Sequence, residues 1–204
     1  MSYFKIKSYA KINSALNVVG IKNSLHKIES IVSFIDLYDE ILVRKTKNTN
    51  HKIKFRGKFS NNINSKNTVS QLLENIDKKK LLKDKLQIII KKNIPSEAGL
   101  GGGSMNAANI LNFLIKKKLI KIKKKKMIKI SNLIGSDVVF GIYSKNLILR
   151  SNNSIKTFPT QKKIYTLIVK PDFGCSTKKI YSGVKKFTKI RFNAPSKHMF
   201  SMKF

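Results

Sequence analysis

The sequence predicts an α+β protein, in which strands and helices are mixed without the regular alternation of a doubly wound sheet. Two patterns carry this prediction. Apolar and polar residues alternate in several early segments, as they do in half-buried strands. Further along the chain, apolar residues recur every three or four positions behind a run of glycines, which is the spacing of an amphipathic helix.

The strands of the N-terminal part are expected in four places. Residues 3–20 alternate, and residues 29–46 predict one or two further strands. Residues 51–57 alternate cleanly, as a half-buried strand does. Residues 85–95 form a short apolar run that is rich in β-branched residues and stops at Pro95.

Two helices are expected between and after these strands. Residues 65–82 are predicted to be helical, with Asn67 and Thr68 as cap residues. Thr68 and Gln71 have the spacing of a capping box. A second helix is predicted from about residue 104, and three lysines close it, where cations suit the negative end of the helix dipole.

The C-terminal third is predicted to continue with both kinds of element. Residues 121–134 predict a helix that is followed by a turn at Gly135 and an apolar stretch. Three more strands are predicted at 146–152, 154–160 and 165–174, and a short helix at 176–187. Residues 190–204 show neither strong periodicity nor a closing element, and we expect the chain to stop within a fold.

The charge is extreme and admits two interpretations. There are 43 Lys and Arg residues against 10 Asp and Glu, which gives a net charge of +33. Such a charge attracts polyanions, so a basic nucleic-acid-binding protein is one hypothesis. The lysines are accompanied by many Ile and Asn residues and by few Arg, and Arg is favoured for reading bases and phosphates. A general bias in amino-acid usage is therefore the preferred interpretation, and nucleic acid is not the expected partner.

Several other classes of protein are disfavoured. Cys175 is the single cysteine, so no disulfide framework or CxxC metal site is expected. The three histidines are far apart and do not have the spacing of a metal motif, and no protein metal ligands are predicted. There is no apolar core of a signal peptide, and no run approaches the roughly 18 apolar residues of a membrane span. We expect a cytoplasmic protein that does not associate with membranes.

The segment NIPSEAGLGGGSMNAA, at residues 93–108, has the layout of an anion-binding loop. A strand precedes it, glycines occupy its turn, and a helix follows, so free amides and the positive end of the helix dipole meet there. The loop is not a Walker A motif, because no Gly-Lys-Ser/Thr closes it, and it is not a Rossmann fingerprint. These residues alone leave a flexible turn and a phosphate cradle about equally supported.

Several motifs in the same order resemble those of the GHMP kinases. The loop PSEAGLGGGSMNAA is similar to their ATP-phosphate loop. Four further segments resemble one member family, the 4-diphosphocytidyl-2-C-methyl-D-erythritol kinases: SYAKINSALNVVG at 8–20, HKIESIVSFIDLYDEILV at 26–43, LIGSDVVFGI at 133–142 and VKPDFGCSTKKIYSG at 169–183. The resemblance covers most of the chain, from residue 8 to about 185.

The resemblance implies a fold and a reaction. We expect residues 1–155 to form the N-terminal ATP-binding lobe, which is like domain 2 of ribosomal protein S5, and residues 156–204 to begin an incomplete C-terminal α+β lobe. The implied reaction is the ATP-dependent phosphorylation of 4-diphosphocytidyl-2-C-methyl-D-erythritol at its 2-hydroxyl, with Mg²⁺, in the non-mevalonate route to isoprenoids. The implied partners are therefore ATP and a small-molecule alcohol.

The resemblance also assigns the catalytic pair and the nucleotide site. Asp137 matches the base that accepts the hydroxyl proton, and Lys11 matches the lysine that keeps this base ionised and offsets charge in the transition state. By themselves, Asp137 would be read as a turn or cap residue and Lys11 as one lysine among many. The implied ATP-binding residues are Asn67, Lys92, Pro95, Ser96, Glu97, Ala98, Gly99, Leu100, Gly101, Gly102, Gly103, Ser104 and Met105.

The implied binding residues for the alcohol substrate are Asn13, His26, Thr177 and Tyr181. His26 matches a position that contacts the cytidine moiety, and Tyr181 matches an aromatic residue that stacks on the cytosine ring. The chain departs from the family at Leu25, where a stacking Tyr is usual, and at Val139, where Pro is usual. The later glycine-rich motif of the family has no counterpart, so an inactive, truncated kinase is a further hypothesis.

Overall fold

The computed structural model describes residues 2–23, 25–61, 63–158, 165–171, 173–174 and 177–194, the last range without the side chains of 177–179. Within these ranges there are six strands and five helices. The strands are β1 (Phe4–Lys22), β2 (Leu25–Thr46), β3 (Lys52–Arg56), β4 (Lys85–Lys91), β5 (Leu147–Leu149) and β6 (Ile155–Thr157). The helices are α1 (Thr68–Lys78), α2 (Gly102–Lys116), α3 (Lys124–Ile134), α4 (Val138–Tyr143) and α5 (Thr177–Ser182).

The chain forms two compact units, and β1 and β2 are long enough to contribute to both. Unit 1 comprises Met1–Lys11, Ile35–Ser96 and Leu100–Ser144. Unit 2 comprises Ile12–Phe34, Glu97–Gly99 and the described part of Lys145–Phe204. The lobe boundary at residue 155 was predicted from a family resemblance, which is a different criterion, and it stays a prediction.

The sheet of unit 1 is built on β4. The C-terminal half of β2 pairs with β4 in an antiparallel register that runs from Glu40 opposite Lys91 to Thr46 opposite Lys85. β3 lies parallel to β4 on its other side. Leu86, a residue of β4, is buried, and the next buried positions follow at intervals of two, so one face of the strand enters the core.

Helices α1 to α4 complete unit 1. In α1 the buried residues Val69, Leu72, Leu73 and Ile76 have the i, i+3, i+4, i+7 spacing of an amphipathic helix. α2 has a wider buried face, and α4 packs closely upon it. A Cβ added to Gly141 would lie 2.5 Å from the Cβ of Ala108, so the close approach of these two helices requires glycine.

Unit 2 contains the N-terminal half of β2, which pairs with β5, and β5 pairs with β6. Both pairings are antiparallel, and the three residues of β5 are all buried. A turn joins β5 to β6, with the amide of Arg150 donating to the carbonyl of Ser154 at 2.9 Å. The two strands predicted at 146–152 and 154–160 are thus present but only three residues long.

The strand predicted at 165–174 is wrong for the residues that the structure describes there. Residues 165–171 have no regular secondary structure, and Tyr165, Leu167 and Val169 are exposed. An alternating apolar run forms a strand only when a neighbour accepts and donates its backbone hydrogen bonds. Among the described strands, none pairs with this segment. The helix predicted at 176–187 is present as the shorter α5.

Candidate active site

The glycine run forms the turn into α2. Gly101 has φ = +66°, in the left-handed region that favours glycine, and it is the N-cap of the helix. The amide of Met105 donates to the carbonyl of Gly101 at 2.8 Å. The amides before Met105 have no acceptor within a helix, and the positive end of the dipole lies there too. This helix begins two residues earlier than predicted, so Gly102 and Gly103 belong to its first turn.

The first two residues of α2 are closely packed by neighbours. A Cβ added to Gly102 would lie 3.0 Å from Cγ2 of Ile94 and 3.1 Å from Nζ of Lys92. A Cβ added to Gly103 would lie 3.1 Å from Oγ1 of Thr68. All three distances are shorter than an ordinary van der Waals contact. The glycines are therefore required by packing, which favours a built cradle over a loose turn.

Lys11 and Asp137 form an ion pair beside this turn. Nζ of Lys11 lies 3.0 Å from Oδ2 of Asp137, with the lysine side chain 6% and the aspartate side chain 33% exposed. The Lys11 amide donates to the carbonyl of Leu100 at 3.0 Å. A Cβ added to Gly101 would lie 3.0 Å from Cγ and Cε of Lys11. The turn thus holds a buried ammonium against a carboxylate that solvent can reach.

Asp137 stands at the N-cap of α4 but does not cap it. Its side chain makes no hydrogen bond to the helix amides, and only its carbonyl accepts one, from the amide of Phe140 at 3.1 Å. Asp is among the best N-cap residues, and replacing such a cap costs about 0.5–2 kcal/mol. The carboxylate is instead directed to Lys11, which distinguishes this residue from an ordinary cap.

Asn67 caps α1 with its whole side chain. Its Oδ1 accepts from the amides of Val69 and Ser70 at 3.0 and 3.1 Å. Its backbone amide donates to Oγ of Ser70 at 2.9 Å, which completes a capping box. The box predicted for Thr68 and Gln71 is therefore wrong by one residue, because Asn67 lies outside the helix and Thr68 is its first residue. A nucleotide-binding role for Asn67 stays a prediction.

Thr68 makes a hydrogen bond to the glycine turn that the sequence did not indicate. Its hydroxyl donates to the carbonyl of Gly103 at 2.7 Å. This bond ties the start of α1 to the first turn of α2. Thr68 thus supports the backbone of the predicted phosphate loop.

The earlier part of the predicted phosphate loop, from Pro95 to Gly99, is also turned. Glu97 and Gly99 have φ of +52° and +71°. A left-handed conformation is uncommon for a residue with a side chain, so Glu97 marks a constrained position. In unit 2, the Glu97 side chain lies in contact with Gly174.

Two of the residues expected to bind the alcohol substrate meet in unit 2. The rings of His26 on β2 and Tyr181 on α5 stack, with centroids 5.2 Å apart and planes inclined by 27°. Leu25, which precedes His26, is 73% exposed. The structure thus brings together the two rings that the resemblance assigns to the cytidine moiety.

Asn13 also lies in unit 2, where its side chain takes part in a chain of hydrogen bonds. Its Nδ2 donates to Oγ of Ser30 at 2.7 Å, and this hydroxyl donates to the carbonyl of Ala15 at 2.7 Å. Thr177 is the first residue of α5, and its side chain lies outside the described part of the structure. The substrate-binding roles of both residues stay predictions.

Two buried carboxylates were not singled out as site residues from the sequence. Asp39 is buried in unit 1, where it forms an ion pair with the predicted nucleotide residue Lys92. Glu29 is buried in unit 2 and accepts from the amides of Arg191 and Phe192 at 2.8 and 2.9 Å. Both residues lie in the motif at 26–43. The alternation of that motif predicts a strand, but it does not indicate that Asp39 pairs with Lys92 or that Glu29 binds the amides of residues 191 and 192.

Within the described ranges, no group of three or more His, Cys, Asp or Glu side chains is arranged to hold a metal ion. None of the helices described is long and apolar enough to cross a bilayer.

The chain is similar to known kinases over its whole length. The family described as GHMP kinases N terminal domain matches residues 67–145. A 4-diphosphocytidyl-2-C-methyl-D-erythritol kinase of Pelagibacter ubique is 56% identical over 205 residues, which cover all of this chain and 73% of the relative. The chain belongs to the 4-diphosphocytidyl-2-C-methyl-D-erythritol kinase family. A family member from Clostridium tetani is 36% identical over 89% of this chain and 65% of its own length.

Solved structures show the same fold. A 4-(cytidine 5'-diphospho)-2C-methyl-D-erythritol kinase aligns with a TM-score of 0.61 and 21% identity over 76% of this chain and 55% of that chain. Homoserine kinase from Cytophaga hutchinsonii aligns with a TM-score of 0.62 and 14% identity over 92% and 62%. The predicted α+β, GHMP kinase-like fold and the predicted kinase class are confirmed, and the nucleic-acid-binding alternative is not favoured.

Proposed function

We propose that this family member transfers the γ-phosphoryl group of ATP to the 2-hydroxyl of 4-diphosphocytidyl-2-C-methyl-D-erythritol, giving the 2-phosphate in the non-mevalonate route to isoprenoids. The ion pair between Lys11 and Asp137, set against the Gly101 turn, is the observation that carries the proposal. The chain spans 73% and 65% of two relatives of that name, so the activity is proposed for the natural protein as a whole.

The chemistry follows from the groups of unit 1. Phosphoryl transfer needs an aligned hydroxyl, an acceptor for its proton and neutralisation of charge on the transferred group. Asp137, partly open to solvent, accepts the hydroxyl proton. Lys11 keeps this carboxylate in place and offsets negative charge, and the first amides of α2 bind phosphate oxygens.

The donor is proposed to be ATP with Mg²⁺. The first turn of α2 fits a phosphate chain, because its leading amides have no acceptor within the helix and the positive end of the helix dipole lies there. Gly102 and Gly103 allow this turn to pack closely against Ile94, Lys92 and Thr68. Mg²⁺ is part of the proposal because it neutralises charge on the β- and γ-phosphates. A cytoplasmic location follows from the use of ATP as donor.

The cytidine moiety is proposed to bind at the rings of His26 and Tyr181. Stacking of a base on an aromatic side chain is worth about 1–3 kcal/mol. Because Leu25 replaces the usual aromatic residue, the cytosine ring has an aromatic partner on one of its two faces. Tyr181 should then carry most of the base recognition.

A coupled assay of ADP release tests the proposal on the natural full-length protein. The acceptors are 4-diphosphocytidyl-2-C-methyl-D-erythritol, homoserine and mevalonate, each at saturating ATP. Turnover with the cytidine-linked alcohol alone, and a ³¹P spectrum that places the new phosphate on its 2-hydroxyl, are expected. Turnover with another alcohol, or with none, would overturn the assignment.

A variant pair adds a test of the cytidine contact. Tyr181→Leu should raise the KM for the cytidine-linked alcohol by roughly five- to a hundredfold, which is the loss of one stacked base. The KM for ATP should stay unchanged. Tyr165→Leu is the matched control, because Tyr165 is a fully exposed aromatic residue of unit 2. Equal effects of the two substitutions would contradict the role of Tyr181.

A further inference from the structure

A fully buried carboxylate lies behind the glycine turn, at Asp39 of β2. Its Oδ1 accepts from the amides of Asn93 and Ile94 at 2.8 and 2.9 Å. Its Oδ2 accepts from Nζ of Lys92 and, at 2.8 Å, from Nδ2 of Asn106. Four donors therefore converge on one side chain that can only accept while ionised.

The four donors belong to the two segments that form the phosphate loop. Lys92, Asn93 and Ile94 are consecutive residues directly after β4. Asn106 lies in α2 one turn beyond Gly102, on the same face of the helix. Ile94 and Lys92 are also the groups that a Cβ at Gly102 would meet first. Asp39 thus joins the end of the strand to the first turns of the helix.

The side-chain amide of Asn106 shows that the junction between residues 92–94 and α2 is maintained at a cost in stability. Its nitrogen must face Asp39, because a carboxylate offers no donor to an amide oxygen. Its Oδ1 is then buried and has no hydrogen-bond partner among the described residues. A buried unsatisfied acceptor is destabilising, so an apolar residue would serve stability better at this position. The amide is better explained by the geometry that it imposes on α2.

The ion pair of Lys92 fits the same account. The lysine side chain is 5% exposed, and it is paired with a wholly buried carboxylate. A buried ion pair contributes little net stability, and one of its best-attested uses is to specify a single arrangement. Lys92 was predicted to lie near the nucleotide, and its position behind Gly102 places a cation beneath the turn.

We propose that Asp39 is a positioning residue for ATP: it fixes residues 92–94 against Asn106, so that the amides of the first turn of α2 are held ready for the triphosphate. This inference rests on the proposed function. Asp39 acts through the loop and touches neither substrate. Its loss should weaken ATP binding and leave binding of the alcohol substrate nearly unchanged.

The first variant is Asp39→Asn, with Asp36→Asn as its matched control. Asp36 lies on the same strand and is exposed, so the control makes the same charge change without touching the loop. In Asp39→Asn, one donor NH₂ replaces an acceptor and faces other donors. We expect kcat/KM for ATP to fall by roughly ten- to a hundredfold, because small misplacements of a binding group have effects of this size. The KM for the alcohol should change by less than about twofold.

The second variant, Asn106→Leu, guards against a folding defect in the first. It removes one tie to Asp39 together with the unsatisfied Oδ1, so its melting temperature should stay close to that of the unaltered protein. Its Kd for ATP, measured by calorimetry at a temperature where the protein is folded, should nevertheless rise several-fold. A purely structural role would instead change the melting temperature and leave this Kd as it was.

The outcomes separate the inference from the proposed function. If the unaltered protein binds and turns over ATP, and folded Asn106→Leu and Asp39→Asn do so with unchanged ATP constants, the inference is wrong and the function stands. If Asp39→Asn does not fold, Asn106→Leu decides alone. If the unaltered full-length protein neither binds ATP nor phosphorylates the alcohol, the proposed function fails and the inference falls with it.

Discussion

Asp137 shows how a functional residue can depart from the local rule that its sequence position suggests. At the start of α4, an aspartate would normally accept from helix amides, yet this one contacts Lys11. Function is a common reason for such departures. At the scale of single residues, the side chains of the site are therefore best recognised by the favourable local hydrogen bonds that they do not make. Asn106, with its unsatisfied oxygen, belongs to the same class.

Asp77 illustrates a carboxylate that serves stability. It accepts from Nζ of Lys85 at 2.6 Å and lies 3.2 Å from Nε2 of His51, whose Nδ1 accepts from the amide of Leu86. Burial alone would raise the pKa of Asp77, but the hydrogen bonds from Lys85 and His51 outweigh burial and hold that pKa below its usual range.

The lowered pKa gives a prediction for the dependence of stability on pH. Because the folded-state pKa lies below the unfolded value of about 3.9, the stabilisation is present above that pH and is lost as pH falls through the folded pKa. Asp77→Asn should therefore be less stable than the unaltered protein at pH 7, and the gap should shrink towards pH 3. Urea unfolding at several pH values measures this gap. A gap that does not vary with pH would contradict the account, and Asp36→Asn serves as the exposed control.

At the scale of elements, the turn into α2 determines where Lys11 lies. Gly101→Ala introduces strain at φ = +66° and places a Cβ 3.0 Å from the lysine side chain. Gly99→Ala introduces similar strain at φ = +71°, but its Cβ would meet nothing within 4 Å. Both substitutions should cost about 1–2 kcal/mol of unfolding free energy, the cost of a left-handed residue with a side chain.

The two alanine variants should differ in activity. Displacement of Lys11 should lower kcat in Gly101→Ala by roughly tenfold or more relative to Gly99→Ala. Urea unfolding and steady-state kinetics on the same preparations supply both quantities. Equal kcat values in the two variants would show that the packing of Gly101 on Lys11 has no catalytic consequence.

The elements differ in how well periodicity alone predicts them. α1 and β4 were correctly predicted, because each buries one face and its apolar spacing records that burial. The segment at 165–171 has the same alternation, yet its residues form no strand. Strand formation requires a neighbouring strand to pair with, and the periodicity of one segment does not show whether such a neighbour is present. The same limit applies to Asp39, whose four donors come from segments more than 50 residues away.

At the scale of the whole molecule, the order of the motifs was more informative than the composition. A net charge of +33 suggested polyanion binding, whereas the relatives are small-molecule kinases. The glycine turn by itself left a turn and a phosphate cradle equally supported. The structure places Lys11, Asp137 and the turn together within unit 1, a grouping that local sequence patterns do not contain.

The central claim is that the Lys11–Asp137 pair performs the phosphoryl transfer, and Asp137→Asn in the full-length protein tests it most directly. The measurement is the single-turnover rate with saturating ATP and 4-diphosphocytidyl-2-C-methyl-D-erythritol, together with the Kd for ATP. We predict a rate lower by about 10²–10⁴-fold, the usual contribution of a general base, with an unchanged Kd at a temperature where the variant is folded. A rate within a few-fold of that of the unaltered protein would contradict the account.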